Sequence, residues 1–368
     1  MRIDPKALLL NTLFGRWQPR RAFEEGYSVI LATPMDMPFL LRYALEGLTG
    51  LDTSHCRQII VVPDGWGDDG GEGLRRAVAA SGDPRVEYVE LTPAAHFFIH
   101  KLGKNVGAAA NSCHWAMIVR GIAATRCEYA FLHDADAFFV DADAIERQYR
   151  ECLDRGLDTL GVTARWDPFF EEAGYSIPAT WELMVSTRWA RRHNPVDFKG
   201  RWRDTPRGRH EFDNALYPQY VDYPWGKVGL MASPARIVHF NGAVTTYRIF
   251  RYQPRRPVVD ELFRLLLLSI LEELIPAEDG RSPAVPPVAE LARGLDDPSA
   301  PVSYAGAATA GNYPAFRAQV DEMCEAPTFR GARAEKVREL IAPFDRHFEA
   351  RGADAAEPAF RFRRHGLG

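Results

Sequence analysis

Two aspartates one residue apart, Asp134-Ala135-Asp136, close the apolar run "YAFLH" (129–133). A hard divalent cation such as Mg²⁺ or Mn²⁺ prefers oxygen ligands, commonly takes one or two carboxylates from a protein, and fills its shell with water and phosphate oxygens. Residues two apart on a strand face the same way, so this pair suits that division of labour, and the site it implies is incomplete without phosphates. An Asp-x-Asp can also be a plain acidic turn. That account fits the repeat at Asp141 and Asp143, where "AIERQYREC" follows and a helix N-cap is expected; the buried-strand approach argues against it for Asp134 and Asp136. His133, between strand and acids, should point to the opposite face and serve structure.

The elements that must position this pair are legible as alternation. "SVILATP" (28–34), "RQIIVVPD" (57–64), "VEYVELT" (86–92), "YAFLHDAD" (129–136) and "DTLGVTAR" (158–165) read as strands. "FLLRYALEGL", "GLRRAVAA", "AAANSCHWAMIVRGIAA" and "DAIERQYRECL" read as the helices between them. The pattern predicts an α/β fold with a mainly parallel sheet flanked by helices on both faces. Ligands of such sheets bind beyond the carboxyl ends of the strands, which brings Asp64, at the end of the second strand, to the same rim as Asp134 and Asp136.

From 166 to 258 the pattern loosens. "RWARRHNPVDFKGRWRDTPRGR" (188–209) carries eight Arg/Lys against two Asp and reads as a loop, either packed over something or a solvated basic surface. Beyond "RYQPRRP", the stretch "VVDELFRLLLLSILEELI" is a strong helix, followed by a Pro/Ala/Gly linker and more helical sequence. The expected division is therefore 1–258 for the α/β domain and 259–368 for a C-terminal helical appendage, whose leucines are expected in a core or a partner face.

Composition narrows the function classes. A formal charge of −4 over 368 residues gives no global case for nucleic acid. Five scattered cysteines without a C-x-x-C pair indicate neither a disulfide framework nor a zinc knuckle, and a cytoplasmic location is expected. The N-terminal run Ala7 to Leu10 is short for a signal peptide, and "LFRLLLLSIL" is short of the roughly 20 apolar residues a bilayer needs, so no transmembrane segment is expected. No G-x-G-x-x-G follows a strand, which disfavours a dinucleotide enzyme.

Taken in order, "YSVILATPMDMPFLLRYALEGL", "RQIIVVPDGWGDD", "GKNVGAAANSCHWA", "EYAFLHDADAFF" and "EFDNALYPQYVDYPWGKVGLMASPARIVHF" resemble the GT-A glycosyltransferases, especially glycosyltransferase family 2, over roughly residues 27 to 250. The resemblance implies a GT-A (Rossmann-like) fold and a set of donor contacts: Thr33 and Pro34 in the turn after the first strand, Asp64 on the nucleobase, Asn105 and Gly107 from the Asn-x-Gly segment, and Asp134 with Asp136 on a cation that bridges two phosphates. It departs from the family where Pro63 replaces the first acid of a strand-end pair and where Ala110-Asn111 replaces Arg-Asn. Lys101, Lys104, Arg248 and Arg251 could add positive charge near the diphosphate.

The same resemblance implies an acceptor base at Asp213, in "EFDNAL", with Phe212 in place of the usual first acid and Glu211 as fallback. The alternative for Asp213 is a helix N-cap before "NALYPQYV". His239, at the end of "PARIVH", falls where several such enzymes carry a histidine ligand, and Trp181 and Glu182 fall where acceptors bind, although Trp166 and Trp181 are equally explicable as core. The activity implied is transfer of a sugar from a nucleotide-diphosphate-sugar, with a UDP-sugar expected, to an acceptor hydroxyl on a sugar, a lipid-linked sugar or a small natural product. Inversion and dependence on Mn²⁺ or Mg²⁺ are expected. Two other readings stay open: a sugar-1-phosphate nucleotidyltransferase, disfavoured because "ATPMDMPFLL" lacks a Gly-rich loop, and a noncatalytic nucleotide- or carbohydrate-binding or assembly protein on the same fold. The appendage is open to roles as a homodimer face, a lid or an acceptor platform.

Overall fold

The computed structural model describes residues 12, 15–17, 22–65, 71–97, 106–252, 262–275, 284–297 and 308–350, with backbone alone at 106–110, 252, 262, 308–311 and 350. By compactness the chain divides into two units, 1–237 and 238–368.

The first unit is built on one seven-stranded sheet. Its centre is β1 (Glu24–Thr33), an almost continuous apolar run buried on both sides, as a central parallel strand must be. Along the chain follow α1 (Pro38–Thr49), β2 (Cys56–Pro63), α2 (Glu72–Ser81), β3 (Val86–Tyr88), α3 (Val106–Ala124), β4 (Cys127–Asp134), β5 (Ala137–Phe139), α4 (Ala144–Arg155), β6 (Thr159–Gly161) and β7 (Glu182–Ser186). The hairpin β8 (Arg201–Thr205) and β9 (Gly208–Phe212), then α5 (Leu216–Asp222), β10 (Val228–Leu230) and β11 (Ile237–His239) complete the strands. The sheet order is β10-β6-β7-β4-β1-β2-β3. β4, β1, β2 and β3 run parallel, and β10 runs parallel to β6. β7 alone runs antiparallel, to β4 on one side and β6 on the other. The mainly parallel sheet is therefore as expected, with one reversed strand inside it.

Strand alternation divides the apolar residues between two layers. Val29, Leu31, Ile59, Val61, Phe131 and Met184 pack with Leu41, Leu45 and Leu48 of α1, Leu74 of α2 and Ile145, Tyr149 and Cys152 of α4. On the other face Ile30, Ile60, Val62, Leu132, Leu183 and Val185 pack with Trp115, Ile118 and Ile122 of α3. The α3 contact is close: a Cβ on Gly121 would stand 2.3 Å from Ile30 Cγ2. Only glycine lets this helix sit so near the strand.

Three local expectations are corrected. Residues 188–209, expected as a loop, hold buried Trp189 and Phe198 and most of the β8–β9 hairpin, where "RWRDT" and "GRHEF" alternate across the Pro206-Arg207 turn. The third and fifth strands end early, at Tyr88 and Gly161. Asp143 occupies the N-cap of α4 without a side-chain cap bond, and Asp213 does not cap α5, because Ala215 is the residue at that position.

Among the described residues the second unit is helical after β11: α6 (Ala243–Tyr252), α7 (Leu262–Leu274), α8 (Val288–Arg293), α9 (Ala308–Glu325) and α10 (Ala332–Ala350). Leu265 to Leu268 are four consecutive residues, all buried, so α7 is enclosed on every side. Its leucines form a core, as expected. Among the described residues no helix is long and apolar enough to cross a membrane.

Candidate functional site

The carboxyl ends of β1, β2 and β4 form one rim. Thr33 pairs with Pro63, and Ala32 with Asp134, so Asp64 and Asp134 flank the end of β1 two strand spacings apart, about 10 Å. Thr33 is buried, its carbonyl accepting the Asp64 N–H at 3.1 Å. Asp64 is itself fully enclosed, and its Oδ1 accepts the Met35 N–H at 3.2 Å, which ties the turn carrying Pro34 to the end of β2.

Asp134 and Asp136 are brought together as the sequence pattern expects. One carboxylate oxygen of each lies within 4.8 Å of the other. Asp134, the last residue of β4, keeps 26% of its side chain exposed, while Asp136 is buried in the following turn. This donor set, two carboxylates at a strand end with one side open, fits a hard cation that takes its remaining ligands from outside the protein.

A residue not anticipated completes this part. His114 of α3 places Nε2 3.2 Å from Asp134 Oδ1. Burial disfavours the imidazolium, but the charge and hydrogen bond of Asp134, then the charges of Asp213 and Asp136, outweigh it and raise the His114 pKa above its ordinary value. Behind His114 lies Asn214, buried, with Nδ2 2.9 Å from the Asn111 carbonyl and 3.4 Å from His114 Nδ1. Its Oδ1 accepts the Gly200 N–H at 2.7 Å and its carbonyl accepts the Thr180 hydroxyl at 2.7 Å.

Asp213, between β9 and Asn214, is 41% exposed. Its Oδ1 accepts the Asn214 N–H at 2.8 Å, and its Oδ2 stands 3.8 Å from Arg165 Nη2. The backbone here is tightly fitted. A Cβ on Gly200 would lie 3.0 Å from Asn214 N, and Ala215 takes φ +59°, the one positive φ of a non-glycine residue among those described. Such a conformation costs on the order of 1–3 kcal/mol and persists only where the surroundings impose it. Glu211, the fallback base, is exposed on the outer face of the hairpin opposite Trp202.

Trp181 and Glu182 enter β7 beside the acids: the Trp181 carbonyl accepts the Asp134 N–H at 3.2 Å. Trp181 is half-buried, Trp166 exposed, and Glu182 buried. Burial drives the Glu182 pKa well above the carboxylate range, with the Thr163 hydroxyl opposing and the charge of Asp134 adding. His133 is buried with its ring 4.7 Å from that of Phe139, the structural place expected of it.

Asn105, Lys101 and Lys104 lie outside the described residues, and Gly107 is described by its helical backbone alone. His239, half-buried at the end of β11, belongs to the second unit, as do Arg248, which is buried, and Arg251, which is exposed. The residues that sequence reasoning missed are His114, Asn214 and Arg165. A signal for the first was present: Asn111 and His114 are polar residues three apart on a mostly apolar helix, and so share a face.

No family model matches the chain, and no curated protein matches it. Among solved structures it is similar to the mannosyltransferase PcManGT from Pyrobaculum calidifontis in complex with GDP-Man and Mn²⁺, at 15% identity and TM-score 0.39, covering 95% of this chain and 94% of that one. It is also similar to glucosyl-3-phosphoglycerate synthase from Mycobacterium tuberculosis in complex with Mn²⁺, UDP and phosphoglyceric acid, at 13% identity and TM-score 0.37, covering 69% and 86%. A third is TarS 1–349 of S. aureus, at 12% identity and TM-score 0.36, covering 87% and 91%.

Proposed function

We propose that this chain is a metal-dependent glycosyltransferase of GT-A architecture that moves a sugar from a nucleotide-diphosphate-sugar, a UDP-sugar in the first instance, to an acceptor hydroxyl. One observation carries the reading: two carboxylates fit for a hard cation, at the carboxyl rim of a mainly parallel sheet, are linked through His114 and Asn214 to a separate, exposed carboxylate, Asp213. Cation site and base are what such a transfer needs.

Asp134 and Asp136 hold the cation, Mn²⁺ or Mg²⁺, through their oxygens, with His239 as a third ligand on sequence order alone. When bound, the ion supplies Lewis-acid stabilisation of the charge that gathers on the departing diphosphate. Thr33, Pro34, Asp64, Asn105 and Gly107 form the nucleotide side of the proposal. Asp213 takes the acceptor hydroxyl's proton at Oδ2, the oxygen not held by the Asn214 N–H, and its exposure lets an acceptor reach it. A base delivering the hydroxyl directly to the anomeric carbon gives inversion. Trp181, half-buried, and Glu182, buried beside it in the chain, are the acceptor side of the proposal.

The proposal takes 1–258 as the nucleotide-sugar domain and 259–368 as the helical appendage, with a homodimer through its helices. All five cysteines are buried, and a cytoplasmic setting is part of the proposal.

Calorimetric titration of UDP, GDP, dTDP and CDP, with and without Mn²⁺, tests the donor site on wild type and Asp136→Ala. The expected result is metal-dependent binding of one diphosphate that is lost in the variant. Binding that ignores both metal and Asp136, or no binding, refutes the reading.

A further inference from the structure

We infer that His114 is a positioning residue: it fixes the Asp134 carboxylate for its cation and couples it to the segment that carries Asp213, an inference that rests on the metal reading above.

The hydrogen bonds determine which atoms carry protons. Asn214 Oδ1 is identified by the Gly200 N–H it accepts at 2.7 Å, so the amide end facing Asn111 O and His114 Nδ1 is Nδ2. An amide nitrogen only donates. His114 Nδ1 is therefore the acceptor, the ring proton sits on Nε2, and Nε2 donates to Asp134 Oδ1 across 3.2 Å. That bond occupies one direction of Oδ1 and fixes the rotation of the carboxylate. Partners of this kind orient metal-ligating groups and set their affinity.

The arrangement is more than packing. His114 and Asp134 each keep about a quarter of the side chain exposed, so the pair reaches solvent at the rim and is not sealed in the core. Asn214, which sets the His114 tautomer with its side chain, gives its backbone N–H to Asp213. Two residues thus span the distance from cation carboxylate to base. Both ends are closely fitted, because a Cβ on Gly200 would stand only 3.0 Å from Asn214 N and Ala215 holds a left-handed backbone directly after it.

Two measurements on the full chain test this. The first is histidine-selective ¹⁵N NMR of the metal-free protein at alkaline pH, where the ring is neutral. His114 is expected with Nε2 protonated and Nδ1 bare; Asp134→Asn should move the Nε2 signal, and Asn214→Ala should let the tautomers redistribute. An Nδ1-protonated ring, or signals indifferent to both variants, overturns the inference. The second is Mn²⁺ titration followed by the electron paramagnetic resonance of the free ion. His114→Leu should weaken binding about 10–100-fold. His114→Gln, whose amide can still donate to Asp134, should stay close to wild type, which separates lost positioning from lost folding. Equal affinity in His114→Leu and wild type overturns the inference. If wild type takes up no Mn²⁺ while the NMR result holds, the parent metal reading is what failed, and the coupling to a cation falls with it.

Discussion

Arg165 and Asp213 face each other across 3.8 Å, while the other Asp213 oxygen is occupied by the Asn214 N–H. The carboxylate is thereby aimed from two sides yet left open to solvent on the third. That is a suitable posture for a base that must meet a hydroxyl group.

Asp213→Asn keeps the shape and the Asn214 contact but removes the basic oxygen. Sugar transfer should fall by about 10²–10⁴-fold, the usual contribution of a positioned general base. Donor diphosphate binding, measured by calorimetry, should be unchanged. Activity within a few-fold of wild type would show that Asp213 is not the base.

Arg165→Met removes one of the two groups that aim Asp213. Both groups are about 40% exposed, so water screens the pair. Such pairs are worth about 0–1 kcal/mol, and sugar transfer should fall by no more than about fivefold. A loss as large as that of Asp213→Asn would show that Arg165 does more than aim the carboxylate.

Glu182 gives a stability signature. Its folded pKa is raised, so the folded state keeps a proton that the unfolded chain releases above about pH 4.5. Stability is full below that value and is lost as pH rises toward the folded pKa. Glu182→Gln cannot ionise. It should match wild type in acid and melt at higher temperature near neutrality, as read from thermal scans across pH. If the two melting curves keep a constant offset at every pH, burial of Glu182 is not what costs stability.

Ala215 should tolerate glycine and reject a branched side chain. Glycine relieves the left-handed conformation but loosens the unfolded chain by about 0.4–1 kcal/mol, so urea denaturation should show a net change within about 1 kcal/mol. Ala215→Val meets the full penalty of a β-branched residue at positive φ and should lose about 1–3 kcal/mol. Equal stability of the two variants would mean the backbone relaxes away from φ +59°.

Much of this molecule could be read before it was seen. The sheet was legible because a strand buried on both faces, such as β1 with Val29, Ile30 and Leu31 feeding opposite layers, reads as a short unbroken apolar run between helical stretches. The pairing of Asp134 and Asp136 was legible because both carboxylates come from one strand end. His114 and Asn214 were not, since they lie 100 residues apart and only the tertiary fold makes them neighbours. "ELMVS" was not read as a strand, and its direction was unreadable in principle, because alternation is the same whichever way a strand runs. The β8–β9 hairpin was missed for another reason: its arginines were read as a charge run, which hid the period of two beneath them.

The reversed strand β7 has a consequence for how this scaffold could change its clientele. In a wholly parallel sheet one rim receives only outgoing ends of strands, and every incoming end lies on the far side. Here β7 enters beside the exit of β4, with Trp181 bonded to Asp134. The stretch between β6 and β7, residues 162–181, therefore returns to the working rim without crossing the sheet. The exposed residues of this stretch can vary while β1, β2, β4 and their acids stay as they are, but Phe170 and Ile177 are held in a core with Phe212 and Leu216, so any rewriting is confined to its outer side chains.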